Sequence, residues 1–176
     1  RCCWSGWHQK NMETEVTTMD KAERIEFVIS EFRKADISIN ENQADKFVRL
    51  CDFMVEYNEN VNLTSITEFS EVVVKHFVDS VLPFTMVDIP QESCFIDVGT
   101  GAGFPAIPLL IYRPDLKGTL CDSLNKRCVY LEKACELIGV KSEIIHARSE
   151  ELGRKKRECF DFATARAVAA MPVLSE

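Results

Sequence analysis

Apolar residues in the first half of the chain recur at the spacing of amphipathic helices. Between Asp20 and Asp36 they return every three or four positions among charged residues, which predicts a helix. A second helix is predicted after Asn40, a good N-cap, because Gln43 follows at the capping-box position. Its predicted buried stripe is Phe47, Leu50, Cys51, Met54 and Tyr57. Three consecutive valines within 69–82 favour a strand, but apolar residues there also recur every four positions, and we predict a helix.

From about residue 91 the pattern changes to short apolar runs that alternate with helical segments. The predicted strands lie at 94–98, 117–121, 142–145 and 160–164, and the predicted helices at 104–112 and 125–138, with a basic loop at 154–157. Strands that alternate with helices form a doubly wound parallel sheet. We therefore predict an α/β chain with a tail at 1–18, a small helical subdomain at 19–90 and an α/β domain at 91–176.

A glycine-rich segment, DVGTGAGFP at 97–105, follows the first predicted strand and opens a helix. Glycines let the backbone turn tightly and let a ligand approach more closely than a β-carbon permits. The spacing is Gly-x-Gly-x-Gly, with Phe104 where the dinucleotide fingerprint has its third glycine, which argues against NAD. The segment is a candidate cradle for another nucleoside-type cofactor.

Other polar residues follow the predicted strands. Asp122 stands about 20 residues beyond the glycine loop, where a carboxylate can accept hydrogen bonds from both ribose hydroxyls. Ser149 and Glu150 follow the third strand and can meet an adenine edge, while Asp97 can order the loop or attract a cation. Either Asp122 or Glu150 alone is also explained as an ordinary loop acid. Together they favour a cofactor site, because ligands gather at strand ends in such sheets.

Composition excludes some classes of protein. The net charge of −7 argues against indiscriminate nucleic-acid binding, although the acidic excess lies in residues 1–93, and residues 94–176 hold 12 basic and 11 acidic residues. No apolar run reaches the roughly 18 residues that a membrane span needs, and no secretory signal is evident, so we expect a cytosolic monomer without a membrane partner. The eight cysteines lack zinc-site spacing and the three histidines are well separated, so we predict reduced thiols and no metal.

Six segments resemble a known family. Residues 97–105 look like motif I of the S-adenosylmethionine-dependent methyltransferases, and their Phe-Pro ending is similar to the glucose-inhibited division protein B family, the bacterial 16S rRNA (guanine-N7) methyltransferases. The other matching segments are YNENVNLT at 57–64, KHFVDS at 75–80, DSLNKR at 122–127, RSEE at 148–151 and TARA at 164–167. The resemblance covers roughly residues 20–176, in the family's order.

The resemblance implies a Rossmann-like class I methyltransferase sheet, truncated after the fourth strand, and S-adenosyl-L-methionine as cofactor. The cofactor contacts that it implies are Gly99, Gly101, Gly103, Phe104, Asp122, Ser123, Ser149, Glu150 and Arg166. Residues expected near the substrate are Asn62, His76, Arg148 and Arg166. The implied partner is 16S rRNA or the small ribosomal subunit, and the implied reaction is methylation of guanine N7 in its decoding region. The family's chain continues with further strands, so we expect this one to be C-terminally incomplete.

The expected chemistry fits a site without an evident catalytic residue. Guanine N7 carries an exposed lone pair, so its attack on a sulfonium methyl group needs alignment rather than a general base. Methylation of amino nitrogens usually goes with an Asn/Asp-Pro-Pro-aromatic loop, but Ala165 to Ala167 occupy that place, and Cys159 lacks the activated setting of a nucleophile. A methyltransferase for a small molecule or a protein, or an inactive cofactor-binding fragment, remains the alternative.

Several polar residues have more than one interpretation. Arg166 could contact RNA phosphate, stack on guanine, hold the cofactor carboxylate or form a surface ion pair. His76, Asp79 and Ser80 share a helical face, but without a nucleophile elbow we predict a hydrogen-bonded structural cluster or part of the substrate pocket, not a hydrolase triad. Arg148 and residues 154–157 are candidate phosphate contacts, and a solvated loop explains 154–157 equally well.

Overall fold

The computed structural model describes residues 19–166, which begin with two capped helices. Helix α1 spans Lys21–Lys34 and α2 spans Glu41–Val61, and each begins with a capping box, formed by Asp20 and Glu23 in α1 and by Asn40 and Gln43 in α2. Asn62 ends α2 in the left-handed conformation. Both predicted helices are confirmed, and of the predicted stripe only Tyr57 is partly exposed.

Helix α3 has three consecutive parts: α-helical Phe69–Val72, π-helical Val73–Val78 and α-helical Asp79–Thr85. The helix predicted at 69–82 is therefore confirmed, and Val73, Phe77 and Val81 are fully buried. The π-helical part was not predicted. Such segments are rare and often occur at functional sites.

Four parallel strands form the sheet: β1 Cys94–Val98, β2 Lys117–Asp122, β3 Ser142–His146 and β4 Phe162–Ala165, in the order β3-β2-β1-β4. Helices α4 Ala106–Tyr112 and α5 Asn125–Ile138 follow β1 and β2, and Gly139 ends α5 in the left-handed conformation. The predicted α/β class, parallel sheet and four strands are confirmed, with strand ends within two residues of those predicted.

Helix α6, Ser149–Lys155, was not predicted, and the expected loop at 154–157 is wrong for Arg154 and Lys155, which form its last turn. The helix has seven residues, of which only Leu152 is buried, so its apolar periodicity is too short to detect. The following Lys156 forms an ion pair with Glu143 of β3 at 2.8 Å.

The alternation of side chains along the strands divides the buried residues between two faces. Phe95 and Leu120 belong to the main core, whereas Ile96 and Cys121 pack with Leu152 in a smaller cluster. The main core also contains the aromatic residues Phe32, Phe47 and Phe77 of helices α1 to α3. The helical segment thus packs directly on the sheet segment. No described helix is long and apolar enough to cross a membrane.

Candidate cofactor site at the carboxyl edge of the sheet

The predicted cofactor residues lie along one edge of the sheet. Because the strands are parallel, the segments that follow β3, β2, β1 and β4 lie side by side at their carboxyl ends. Backbone hydrogen bonds connect them: Thr100 N donates to Cys121 O at 3.1 Å, and Ala147 N donates to Asp122 O at 3.2 Å. Strand order reverses between β1 and β4, which is where open α/β sheets bind ligands.

Asp122 fixes the glycine loop against the start of α5. Its carboxylate is 2% exposed and accepts hydrogen bonds from Gly101 N at 3.0 Å and from Leu124 N at 2.9 Å. Arg127 Nη1 lies 3.5 Å from the same group. An ionised carboxylate has about four acceptor positions, so these amides leave capacity for further donors. The sequence identified Asp122 as a possible ribose contact but gave no sign that it also orders the loop.

The three loop glycines all have positive φ, at 65° for Gly99, 60° for Gly101 and 91° for Gly103. A β-carbon on Gly101 would have only Gly99 O within 4 Å, at 3.9 Å, so open space lies in front of it. A β-carbon on Gly103 would lie 2.4 Å from Ile107 Cδ1, inside the packed core. Gly101 therefore fits close approach by a ligand, whereas Gly103 is needed for packing.

Asp97 is a buried carboxyl at the end of β1. It is fully buried, and Oδ1 accepts a hydrogen bond from Thr164 Oγ1 at 2.8 Å, while Oδ2 has no partner within the described residues. Burial raises the pKa of Asp97 to about 6. The sequence expectation that Asp97 orders the loop or attracts a cation stays a prediction.

Arg166, directly after β4, joins the sheet to helix α3. Its Nη2 donates to His76 Nδ1 at 2.7 Å, and its Nη1 lies 3.4 Å from Ser80 Oγ. The His76 ring stacks on Phe104, with centroids 4.6 Å apart, and the Arg166 guanidinium carbon lies 5.5 Å from the Phe104 centroid. Of the three residues predicted to form a structural cluster or part of the substrate pocket, His76 and Ser80 each bond to Arg166, which was absent from that prediction, and Asp79 is exposed.

Thr64 completes this cluster from the loop after α2. His76 Nε2 lies 2.9 Å from Thr64 Oγ1. The Asn58 side chain holds the loop, since it accepts hydrogen bonds from Leu63 N and Thr64 N and donates to Thr64 O. Neither residue was predicted to have a role, although both belong to the segment 57–64, whose polar character is the available sequence signal.

The remaining predicted residues are exposed. Ser123, Ser149 and Glu150 stand at the same carboxyl edge, and Arg148 precedes α6. Asn62 is exposed at the end of α2. The structure brings the segments bearing Ser123, Ser149 and Glu150 together, and their roles toward a ligand stay predictions.

Two other features bear on site predictions. A cavity of about 960 Å³ lies at the opposite edge of the sheet, where Lys117 and Ser142 begin β2 and β3, away from the glycine loop. Within residues 19–166 no three potential ligand side chains are grouped to hold a metal ion, and all six cysteines in that range are free.

The strand order, the glycine turn after β1 and the acidic residue that ends β2 define a Rossmann-like domain of the class I methyltransferase type. The family model for GidB, described as rRNA small subunit methyltransferase G, matches residues 43–176. The chain belongs to this family.

Relatives named ribosomal RNA small subunit methyltransferase G agree with the family match. The chain is 43% identical to that of Desulforamulus reducens over 82% of this chain and 61% of the relative, and 48% identical to that of Clostridium perfringens strain 13 over 80% and 60%. It is 42% identical to that of Staphylococcus carnosus over 86% of this chain and 65% of the relative. The chain thus spans less than two thirds of the length of these relatives.

Proposed function

We propose that this chain carries the cofactor-binding part of an S-adenosylmethionine-dependent methyltransferase that methylates N7 of a guanine in the decoding region of 16S rRNA. The open space in front of Gly101, beside the acceptor group of Asp122, is the observation that carries the cofactor assignment. The rRNA assignment is supported by the family and by the names of the relatives.

Each part of the cofactor has a candidate partner at the carboxyl edge. The backbone at Gly99 and Gly101 suits close approach, and Asp122 has acceptor capacity for ribose hydroxyls. The segment of Ser123, Ser149 and Glu150 is assigned to the adenine side. Asp97 is assigned to the ammonium group, and Arg166 to the carboxylate group. The Phe104 ring is only 6% exposed and lies beside the Arg166 guanidinium, so it limits the positions that this group can take.

The bound cofactor supplies an electrophilic methyl group on a sulfonium centre. Guanine N7 needs no deprotonation before it attacks, so this chain's residues need only bind, orient and exclude water, which can supply roughly 7–11 kcal/mol of the barrier. His76 and Arg166 lie where the strand order reverses, at the point where a target base would meet the cofactor. Asn62 and Arg148 are exposed and are assigned to RNA contacts.

Calorimetry with S-adenosylhomocysteine tests the cofactor half of the proposal. Glu150→Ala should weaken binding about fivefold, the value of one hydrogen bond of about 1 kcal/mol. Glu151→Ala is the matched control, because Glu151 is an exposed acid in the same first turn of α6. No binding by the unmodified chain, or equal losses in the two variants, would overturn the assignment.

Methyl transfer from radiolabelled cofactor tests the substrate half. The chain should label 16S rRNA or isolated small subunits, and borohydride–aniline cleavage should place the label at an N7-methylguanine. A parallel panel of small metabolites and ribosomal proteins should stay unlabelled. Label on that panel alone would replace the rRNA proposal with the small-molecule or protein alternative. Binding without transfer to any acceptor would reduce the chain to a cofactor-binding fragment.

A further inference from the structure

The hydrogen bonds of His76 determine where its proton lies. Arg166 has only N–H donors, so His76 Nδ1, at 2.7 Å from Nη2, must be the acceptor. A neutral imidazole then carries its proton on Nε2, which donates to Thr64 Oγ1 at 2.9 Å. Thr64 Oγ1 also accepts a hydrogen bond from Ile66 N at 3.1 Å, so a second donor holds the hydroxyl in place.

We propose that neutral His76, protonated on Nε2, is a positioning residue that holds the Arg166 guanidinium at the carboxyl edge of the sheet, and that protonation of His76 releases it. This proposal rests on the proposed function, because it expects the release of Arg166 to lower the rate of methyl transfer. His76 acts through Arg166 and is not itself assigned a contact with the reacting atoms.

Protonation would place an N–H group and a second positive charge against the guanidinium at the present 2.7 Å. The pKa of His76 is lowered first by burial and then by the charge of Arg166. On its own helix, Asp79 opposes this effect and Lys75 adds to it. From the sheet, Asp97 faces Arg166, and the contacts from Thr64, Ser80 and Phe104 are uncharged.

The expected consequence is an acid limb in the pH profile of methyl transfer. If only neutral His76 holds Arg166, the rate falls about tenfold for each pH unit below the pKa of His76. Burial raises the pKa of Asp97 to about 6, so a second group can produce an acid limb and the profile alone does not identify His76. Variants of His76 do.

Nitrogen-15 NMR of the full chain tests the positioning claim without any assay of function. The chain has three histidines, His8, His76 and His146, so the ring signals are few. The signal that disappears in His76→Asn belongs to His76. At pH 7.5 His76 should be neutral with its proton on Nε2. In Arg166→Gln its pKa should rise and both tautomers should be populated. A proton on Nδ1 in the unmodified chain, or no change in Arg166→Gln, would overturn the proposal.

Two amide substitutions at His76 distinguish the roles of its two ring nitrogens. Asparagine places its amide oxygen near the position of Nδ1, whereas glutamine reaches the position of Nε2. His76→Asn should lose the acid limb and lower methyl transfer less than His76→Gln does, and His76→Gln should lower the rate about tenfold at every pH. Equal losses in both, or an acid limb that persists in His76→Asn, would show a merely structural role. If the unmodified chain methylates no rRNA, the proposed function fails, and the NMR result still decides whether His76 holds Arg166.

Discussion

Alanine at Gly101 should mainly weaken cofactor binding, whereas alanine at Gly103 should mainly lower stability. Both glycines have positive φ, so a side chain at either adds backbone strain of about 1–2 kcal/mol. Their surroundings differ. At Gly103 the new β-carbon would lie 2.4 Å from Ile107 Cδ1, 2.8 Å from Ile107 Cγ1 and 3.2 Å from Leu131 Cδ2, whereas at Gly101 the nearest atom is 3.9 Å away.

The expected magnitudes follow from this contrast. Ile107 and Leu131 are fully buried, so the side chains cannot move aside without a cost of about 1–3 kcal/mol for overpacking. Gly103→Ala should therefore lower the free energy of unfolding by about 2–5 kcal/mol. Gly101→Ala should lower it by only about 1–2 kcal/mol, but its methyl group fills the proposed cofactor space and should weaken S-adenosylhomocysteine binding about tenfold or more.

Urea unfolding followed by circular dichroism gives the stabilities, and calorimetry under folding conditions gives the affinities. Gly153→Ala in α6 is the control, because a β-carbon there meets no atom within 4 Å and its helical position favours alanine. It should add about 0.5–1 kcal/mol without changing affinity. If Gly101→Ala binds as tightly as the unmodified chain, or is as unstable as Gly103→Ala, the space in front of Gly101 is not the cofactor cradle.

Substitutions at Asp97 and Gln43 test two further polar side chains. Burial raises the pKa of Asp97 to about 6, so the folded chain favours the protonated carboxyl. The contribution of Asp97 to stability is therefore greatest below its pKa in the unfolded chain, near 4, and is lost as the pH rises through 6. The free energy of unfolding of Asp97→Asn, relative to that of the unmodified chain, should therefore rise by up to about 3 kcal/mol between pH 4 and pH 8. Urea titrations measure this difference, and a difference that does not depend on pH would contradict the prediction. Gln43 Nε2 donates to Ile111 O and Tyr112 O at 2.9 and 3.0 Å, and Gln43→Ala should cost about 2 kcal/mol. Gln43→Glu keeps a capping acceptor for Asn40 N but not these donors, so unchanged thermal stability in that variant would show that the two bonds contribute nothing.

The sheet and its ligand edge were predictable because they depend on local patterns. Each strand is a short apolar run, and parallel strands bring their carboxyl ends together whatever the details of packing. Asp122 and the glycine loop could therefore be placed at one edge from sequence alone. The capped helices α1 and α2 were predictable for the same reason, since the residues that form each capping box lie three positions apart.

The contacts that complete the candidate site depend on residues far apart in the sequence. The hydrogen bond between Arg166 and His76 joins residues 90 positions apart, and no spacing rule links them. The His76 ring that stacks on Phe104 belongs to the π-helical part of α3, which the apolar spacing did not predict. Gly103 shows the same limit, because only the packed positions of Ile107 and Leu131 reveal that it faces the core.

The distribution of charge along the chain bears on the proposed RNA substrate. Asp97 and Asp122, at the carboxyl ends of β1 and β2, are 0% and 2% exposed, so they present little charge to the solvent. Arg148 is exposed at the same edge, and Arg166 is partly exposed. Arg148 shares this edge with the exposed acids Glu150 and Glu151, and most of the acidic excess lies in the helical half of the chain. Net charge alone does not exclude an anionic partner when the charges are sorted in this way.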